Sequence, residues 1–326
     1  MPHALAEDAL ALIERVCPAL PFWPQLPRRA AAEGMIPQAL SGLEPWLHPL
    51  GEGPALGLDD TPAMRAALVE PPPWGEAQAA GLVALERALD QGRFDGAQVV
   101  KGQLAGPITL ACTLVLPSGP AWRDGALARA LGVRVAWTAV DQLVRLRARG
   151  RAALIVLDEP MLGLLPPDAL HPEGALMEGL SWALGAVRAS GGLSGLHCCS
   201  APPWSALLEL PLDLMSFDAS ADLDGLLASP SGRALAERRA FAWGLVSTAA
   251  DPRALDAAAL AADWRARVGR VLDPDALARR ALVTPACGLA GLSLERAAAA
   301  LEVAAAVGAR LGRAADEATP NRGAPR

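Results

Sequence analysis

Short apolar runs alternate along the chain with longer stretches rich in Ala, Leu and Arg. The runs are ALPFW at 19–23, AQVVKGQ at 97–103, ALIVLD at 153–158, LSGLHC at 193–198, DLMSF at 213–217, FAWGLV at 241–246 and ALVTP at 281–285. Each has an apolar or β-branched body and ends in polar, Gly or Pro residues, as strands buried on both faces do. The stretches at 76–91, 124–149, 173–189, 252–268 and 293–312 read as helices, with Asp251 before Pro252 as an N-cap. An eighth strand is expected between Leu43 and Leu58. This alternation, with no GxGxxG after the first strand, predicts an α/β fold, a single (β/α)8 TIM barrel rather than a dinucleotide-binding sheet. The expected organisation is an N-terminal helix over 1–17, the barrel over 18–313 and a disordered tail over 314–326, where AADEATPNRGAPR is small, polar and Pro-containing.

Composition narrows the function classes. The 326 residues suffice for a large core, and a net charge of −6 argues against a nucleic-acid surface, which needs clustered Lys and Arg. The longest uncharged window, Gly102–Trp122, could span a bilayer by length, but Pro107, Pro117 and Pro120 interrupt it; it reads as a buried strand followed by a loop, with no membrane partner. The opening MPHALAEDALALIER mixes acids with apolar residues and lacks a basic n-region, so it predicts an amphipathic helix rather than an export signal. The five cysteines are then expected to be reduced and the protein cytoplasmic.

Catalytic groups of such barrels gather at the C-terminal ends of the strands. Those positions carry Trp23 and Gln25, Lys101 and Gln103, Asp158 and Glu159, His197, Cys198 and Cys199, Asp218, Trp243 and Ser247, and Cys287. His197 and Cys199 alternate on one strand end and so point the same way, whereas Cys198 points into packing. With Cys287 and a carboxylate they make a donor set that Zn2+ accepts. Lys101 is the only lysine in a chain whose other cations are arginine, which marks a position where a guanidinium does not serve, or a chance survivor.

These residues fall within a longer set of segments: PFWPQLPRR at 21–29, KGQLAGPITL at 101–110, LDEPML at 157–162, GLHCCSAPPW at 195–204, SFDAS at 216–220, FAWGLVST at 241–248 and TPACGL at 284–289. In order and spacing they resemble the catalytic domain of cobalamin-independent methionine synthase, in the superfamily that also holds uroporphyrinogen decarboxylase. The resemblance runs from Pro21 to about Leu292. It implies a zinc site on His197, Cys199, Asp218 and Cys287, with Asp218 standing where the synthase has glutamate. It also implies that Asp158 holds the amino end of homocysteine. Glu159, Gln25, Trp23, Gln103, Trp243 and Ser247 are expected around the substrate, and Lys101 beside Asp158 as a catalytic group.

The function so implied is zinc-dependent methylation of a small thiol, homocysteine first, giving methionine. The synthase has two barrels, of which this sequence reads as one. Cys112-Thr113 stand where the synthase carries the Asn-Trp pair that holds folate. That points to methylcobalamin or a corrinoid protein as donor, with Trp23, Trp74, Trp204 and Trp243 lining the mouth, or Trp204 and Trp243 packed beneath it. The alternatives are transfer to another thiol such as coenzyme M, and a non-catalytic barrel that retains zinc.

Overall fold

The computed structural model describes residues 1–148 and 150–317. Six of the expected strands form one parallel sheet: β1 (Val99–Ala105), β2 (Ala152–Asp158), β3 (Leu193–Cys198), β4 (Leu214–Phe217), β5 (Ala240–Val246) and β6 (Ala281–Pro285). They lie side by side in chain order, and the sheet curls into a half-barrel. The helices that position it are α1 (Ala6–Val16) and α2 (Glu76–Asp90) ahead of β1, α3 (Gly125–Arg147) between β1 and β2, and α4 (Ala175–Ala189) between β2 and β3. α5 (Ala219–Ala228) and α6 (Pro230–Arg238) connect β4 to β5, α7 (Ala257–Val268) connects β5 to β6, and α8 (Leu294–Glu317) follows β6. Among the described residues no helix is long and apolar enough to cross a membrane.

Alternation along each strand sorts its side chains between two environments. The outward set includes Val100 and Leu104, Ile155 and Leu157, Leu196 and Cys198, Met215 and Phe217, and Phe241, Trp243 and Leu245, all in the main core with the helices. The inward set forms a separate small cluster of Leu154, Val156, Leu214 and Ala242, with Val99, Ala240 and Leu282 against it. The same parity brings Lys101, Gln103, Asp158, His197, Ser216 and Thr284 to the concave side.

Three expectations about the barrel wall are corrected. The first run, 19–23, is reduced to a single parallel bridge between Phe22 and Lys101. Lys101 N donates to Pro21 O at 2.8 Å and Trp23 N to Lys101 O at 3.3 Å, and Pro24, which has no N–H, ends the pairing. The segment between Leu43 and Leu58 supplies no barrel strand. Leu47–Pro49 and Leu56–Leu58 pair antiparallel around Gly51, whose φ of 66° makes the turn, and join Leu114–Leu116 and Gly119–Pro120 in a separate four-stranded sheet. Among the described residues no strand pairs with the far edge of β6, and between it and Pro21–Trp23 side chains of the N-terminal segment, Phe22 among them, pack in one cluster with Val283 and α8.

Smaller corrections follow from local chemistry. The loop expected after Gly106 begins with a buried helix, Pro107–Thr113. Asp251 caps only a 3-10 turn, Pro252–Ala254, and the N-cap of α7 is Asp256, whose side chain accepts from Ala258 N. Residues 314–317, expected in the tail, complete α8, and the remainder of that tail, 318–326, lies outside the described residues.

Candidate functional site

Neighbouring parallel strands place residues of equal height side by side. At the C-terminal rim of the sheet, Asp158 pairs in register with His197, and His197 with Ser216. His197 Nδ1 and Ser216 Oγ are 2.9 Å apart. Cys199 follows β3 directly. Cys287 follows β6, where Ala286 N donates to Val246 O at 2.9 Å and ties the loop to β5.

Side chains from both strand ends meet here. Cys199 foremost, and then His197, draw the Cys287 thiol well below the usual thiol range. Cys199 is driven well above it by Cys287 and by burial. With Nδ1 engaged by Ser216, Nε2 of His197 is left for the sulfurs. Among the described residues no group of three or more His, Cys, Asp or Glu side chains stands at metal-ligating spacing.

The cluster sits at the mouth of a cavity of about 610 Å³. Its wall carries Trp23, Gln25, Lys101, Gln103, Asp158 and Ser216. Lys101 Nζ donates to Gln103 Oε1 at 2.8 Å, and Gln103 Nε2 donates to Trp23 O at 2.8 Å. Trp23 is fully buried and donates Nε1 to Gln142 Oε1 at 2.9 Å, while Gln25 Nε2 donates to Gln38 Oε1 at 2.7 Å. Burial pushes the Lys101 ammonium below its ordinary value, with Asp158 opposing. Burial likewise raises Asp158, against the attraction of His197 and Lys101.

Four expected site residues are placed elsewhere, each for a local reason. Asp218 is the N-cap of α5: its Oδ1 accepts from Ser220 N at 3.0 Å, Ser220 Oγ at 2.6 Å and Ala221 N at 3.1 Å. Glu159 turns behind the sheet, where its carboxylate accepts from Ile108 N at 2.8 Å and from Thr109 N and Oγ1 at 2.6 Å each, at the start of helix Pro107–Thr113. Gly106 makes room for it, since a Cβ there would overlap Glu159 Oε1. Trp243 is fully buried on the outward face of β5, its ring 5.1 Å from Phe241 and 5.2 Å from Trp264. Ser247 accepts from Ala249 N at 3.3 Å in a turn beyond the cavity lining.

Ser216 and Phe22 are site residues that sequence reasoning passed over. Ser216 was marked by parity, two positions before Asp218 on the strand next to His197. Phe22 enters through a bridge that sequence pattern alone does not specify; its ring centroid lies 5.8 Å from Lys101 Nζ. No family model matches the chain, and no curated protein matches it in sequence.

Proposed function

We propose that this protein is a zinc-dependent thiol methyltransferase, most simply of homocysteine, built on a (β/α)8-type barrel of which the six-stranded sheet is the larger part. The observation that carries this reading is the convergence of Cys287, Cys199 and His197, from separate strand ends, on one cavity. The donor chemistry fits zinc: two thiols, one of them drawn below the usual thiol range, and an imidazole whose Nδ1 lies beside a hydroxyl. His197, Cys199 and Cys287 would hold the ion. Asp218, committed to its helix cap, does not fit as the fourth ligand, which leaves the open position that a catalytic zinc site keeps. When bound, zinc would supply acidity, so that an arriving thiol loses its proton at neutral pH yet stays electron-rich.

The chain's own groups do the rest. Asp158, at the height of His197, holds the substrate ammonium, and Gln103 and Lys101 present an amide and a cation to the other polar end. Phe22 closes the wall beside Lys101 and limits water there. The donor, methylcobalamin or a corrinoid protein, approaches from the open rim, and the reaction takes place in the cytoplasm, where the cysteines remain reduced. The reaction forms a C–S bond to the acceptor as the methyl group leaves its carrier, and the thiol proton passes to solvent.

The test is zinc content of the purified protein beside Cys287→Ser, followed by methylation of homocysteine with methylcobalamin and with methylfolate. About one zinc per chain, lost in the variant, together with methionine formation is the expected result. A folded wild type that takes up no zinc overturns the reading. Zinc with no turnover on homocysteine or coenzyme M leaves the non-catalytic zinc barrel.

A further inference from the structure

The cavity continues well beneath the sulfur and imidazole groups. Parallel barrels ordinarily fill this space with layers of bulky branched side chains. Here Val156, Leu214 and Ala242 pack as one small inward cluster with Leu282 against it, and all four line the cavity as the apolar wall of a shaft. The volume of about 610 Å³ falls in the range of roughly 300–1,000 Å³ that encloses drug-sized ligands. An amino-acid thiol at the rim fills a small part of it. At its far end the shaft reaches Leu301 and Ala304 of α8, beside the unpaired edge of β6.

One cation stands in this apolar space. Lys101 Nζ has Gln103 Oε1 at 2.8 Å and the Phe22 ring at 5.8 Å, both neutral. Among the described residues no carboxylate lies within the 4.0 Å of an ion pair, and Asp158 acts on it only through space. A buried ammonium is costly unless paired and hydrogen-bonded. An anionic group arriving in the cavity would supply what the wall lacks.

We propose that the shaft binds an elongated carboxylate, with the anionic end on Lys101 Nζ and a hydrocarbon chain lying along Val156, Leu214, Ala242 and Leu282. This goes beyond the proposed reaction and rests on the cavity alone, neither on thiol methylation nor on the metal. A ligand of this class is an unbranched, carboxylate-bearing molecule.

Calorimetric titration with octanoate, decanoate and dodecanoate tests it, on protein as purified and again after chelation, so that loss of metal and loss of this ligand read separately. Affinity is expected to rise about fourfold per added methylene until the shaft is full. Decan-1-ol is expected to bind at least tenfold more weakly than decanoate. Lys101→Met should remove that preference while leaving decan-1-ol binding intact, which shows that the variant is folded. Ala242→Phe, read against octanoate as its own control, should weaken dodecanoate more than octanoate. No saturable binding of any of these carboxylates, or equal affinity for decanoate and decan-1-ol, overturns the proposal even if zinc and methyl transfer are established.

Discussion

Ser216 Oγ stands 2.9 Å from His197 Nδ1, on the strand beside it and in direct register. This bond fixes the imidazole plane and reserves Nε2 for the sulfur groups. Outer partners of this kind typically change metal affinity by about 10–100-fold when removed. Ser216→Ala is therefore expected to weaken zinc binding by that factor, measured by competition with a chromophoric chelator, with the far-ultraviolet spectrum unchanged. Unaltered affinity would show that the hydroxyl does no orienting.

Asp158 is the rim carboxylate in register with His197, and it faces the cavity that Asp218 does not reach. A hydrogen bond to a charged group contributes about 1.5–3 kcal/mol, and about 1.4 kcal/mol is tenfold in affinity. Asp158→Asn should accordingly raise KM for homocysteine by about tenfold or more. It should leave KM for a thiol without an amino group nearly unchanged. Equal effects on both acceptors would remove the ammonium-binding role.

Glu159 makes a pH-dependent contribution to stability. Burial pushes its carboxyl up to about 7, outweighing the bonds from Thr109 and Ile108 that favour the charged form. The native state then holds a proton more tightly than the unfolded chain, whose carboxyl keeps the ordinary value of 4.5. Stability from this group is complete below pH 4.5 and is lost as pH rises towards 7. Glu159→Gln, neutral throughout, should remove this decline, which is on the order of 3 kcal/mol. Urea unfolding of both proteins across that window measures it; parallel curves would show that Glu159 does not titrate there.

The sulfur and imidazole cluster was legible because alternation is a local rule: it put His197 and Cys199 on one face and Cys198 on the other, and Cys198 is buried in the outer core. The same rule, run back from Phe241 and Leu245, assigns Trp243 to the outer face, but the size of an indole near a strand end suggested a mouth. Asp218 also carried a readable signal, an acid directly ahead of a helix, which competes with ligation and wins because its Oδ1 collects three hydrogen bonds within the same turn. Glu159 was not legible, since its partners, Ile108 and Thr109, are brought to it only by the pairing of β1 with β2. The wall was misread for a related reason: strand pattern specifies that a segment is extended, not which edge it meets, and Leu56–Leu58 pairs with Leu47–Pro49 instead of β1.

Arg134 has no counterpart in the candidate chemistry. It is 1% exposed within α3, and it donates Nε to Ala39 O at 2.9 Å, Nη1 to Ala67 O at 3.3 Å and Nη2 to Ser41 O. Burial lowers it to about 10, so it remains charged at neutral pH, bonded to carbonyls instead of a carboxylate. It thereby ties the C-terminal ends of two short helices, Met35–Ala39 and Pro62–Leu68, to α3. Arg134→Met retains most of the stem but leaves the buried carbonyls of Ala39 and Ser41 without this donor, at about 1–3 kcal/mol each. The expected loss is about 3 kcal/mol or more, read as a lower urea midpoint at unchanged m. Because Arg134 does not line the cavity, KM for the thiol should not move. A loss under about 1 kcal/mol would mean that water replaces the guanidinium, and that the helix ends are held by apolar packing alone.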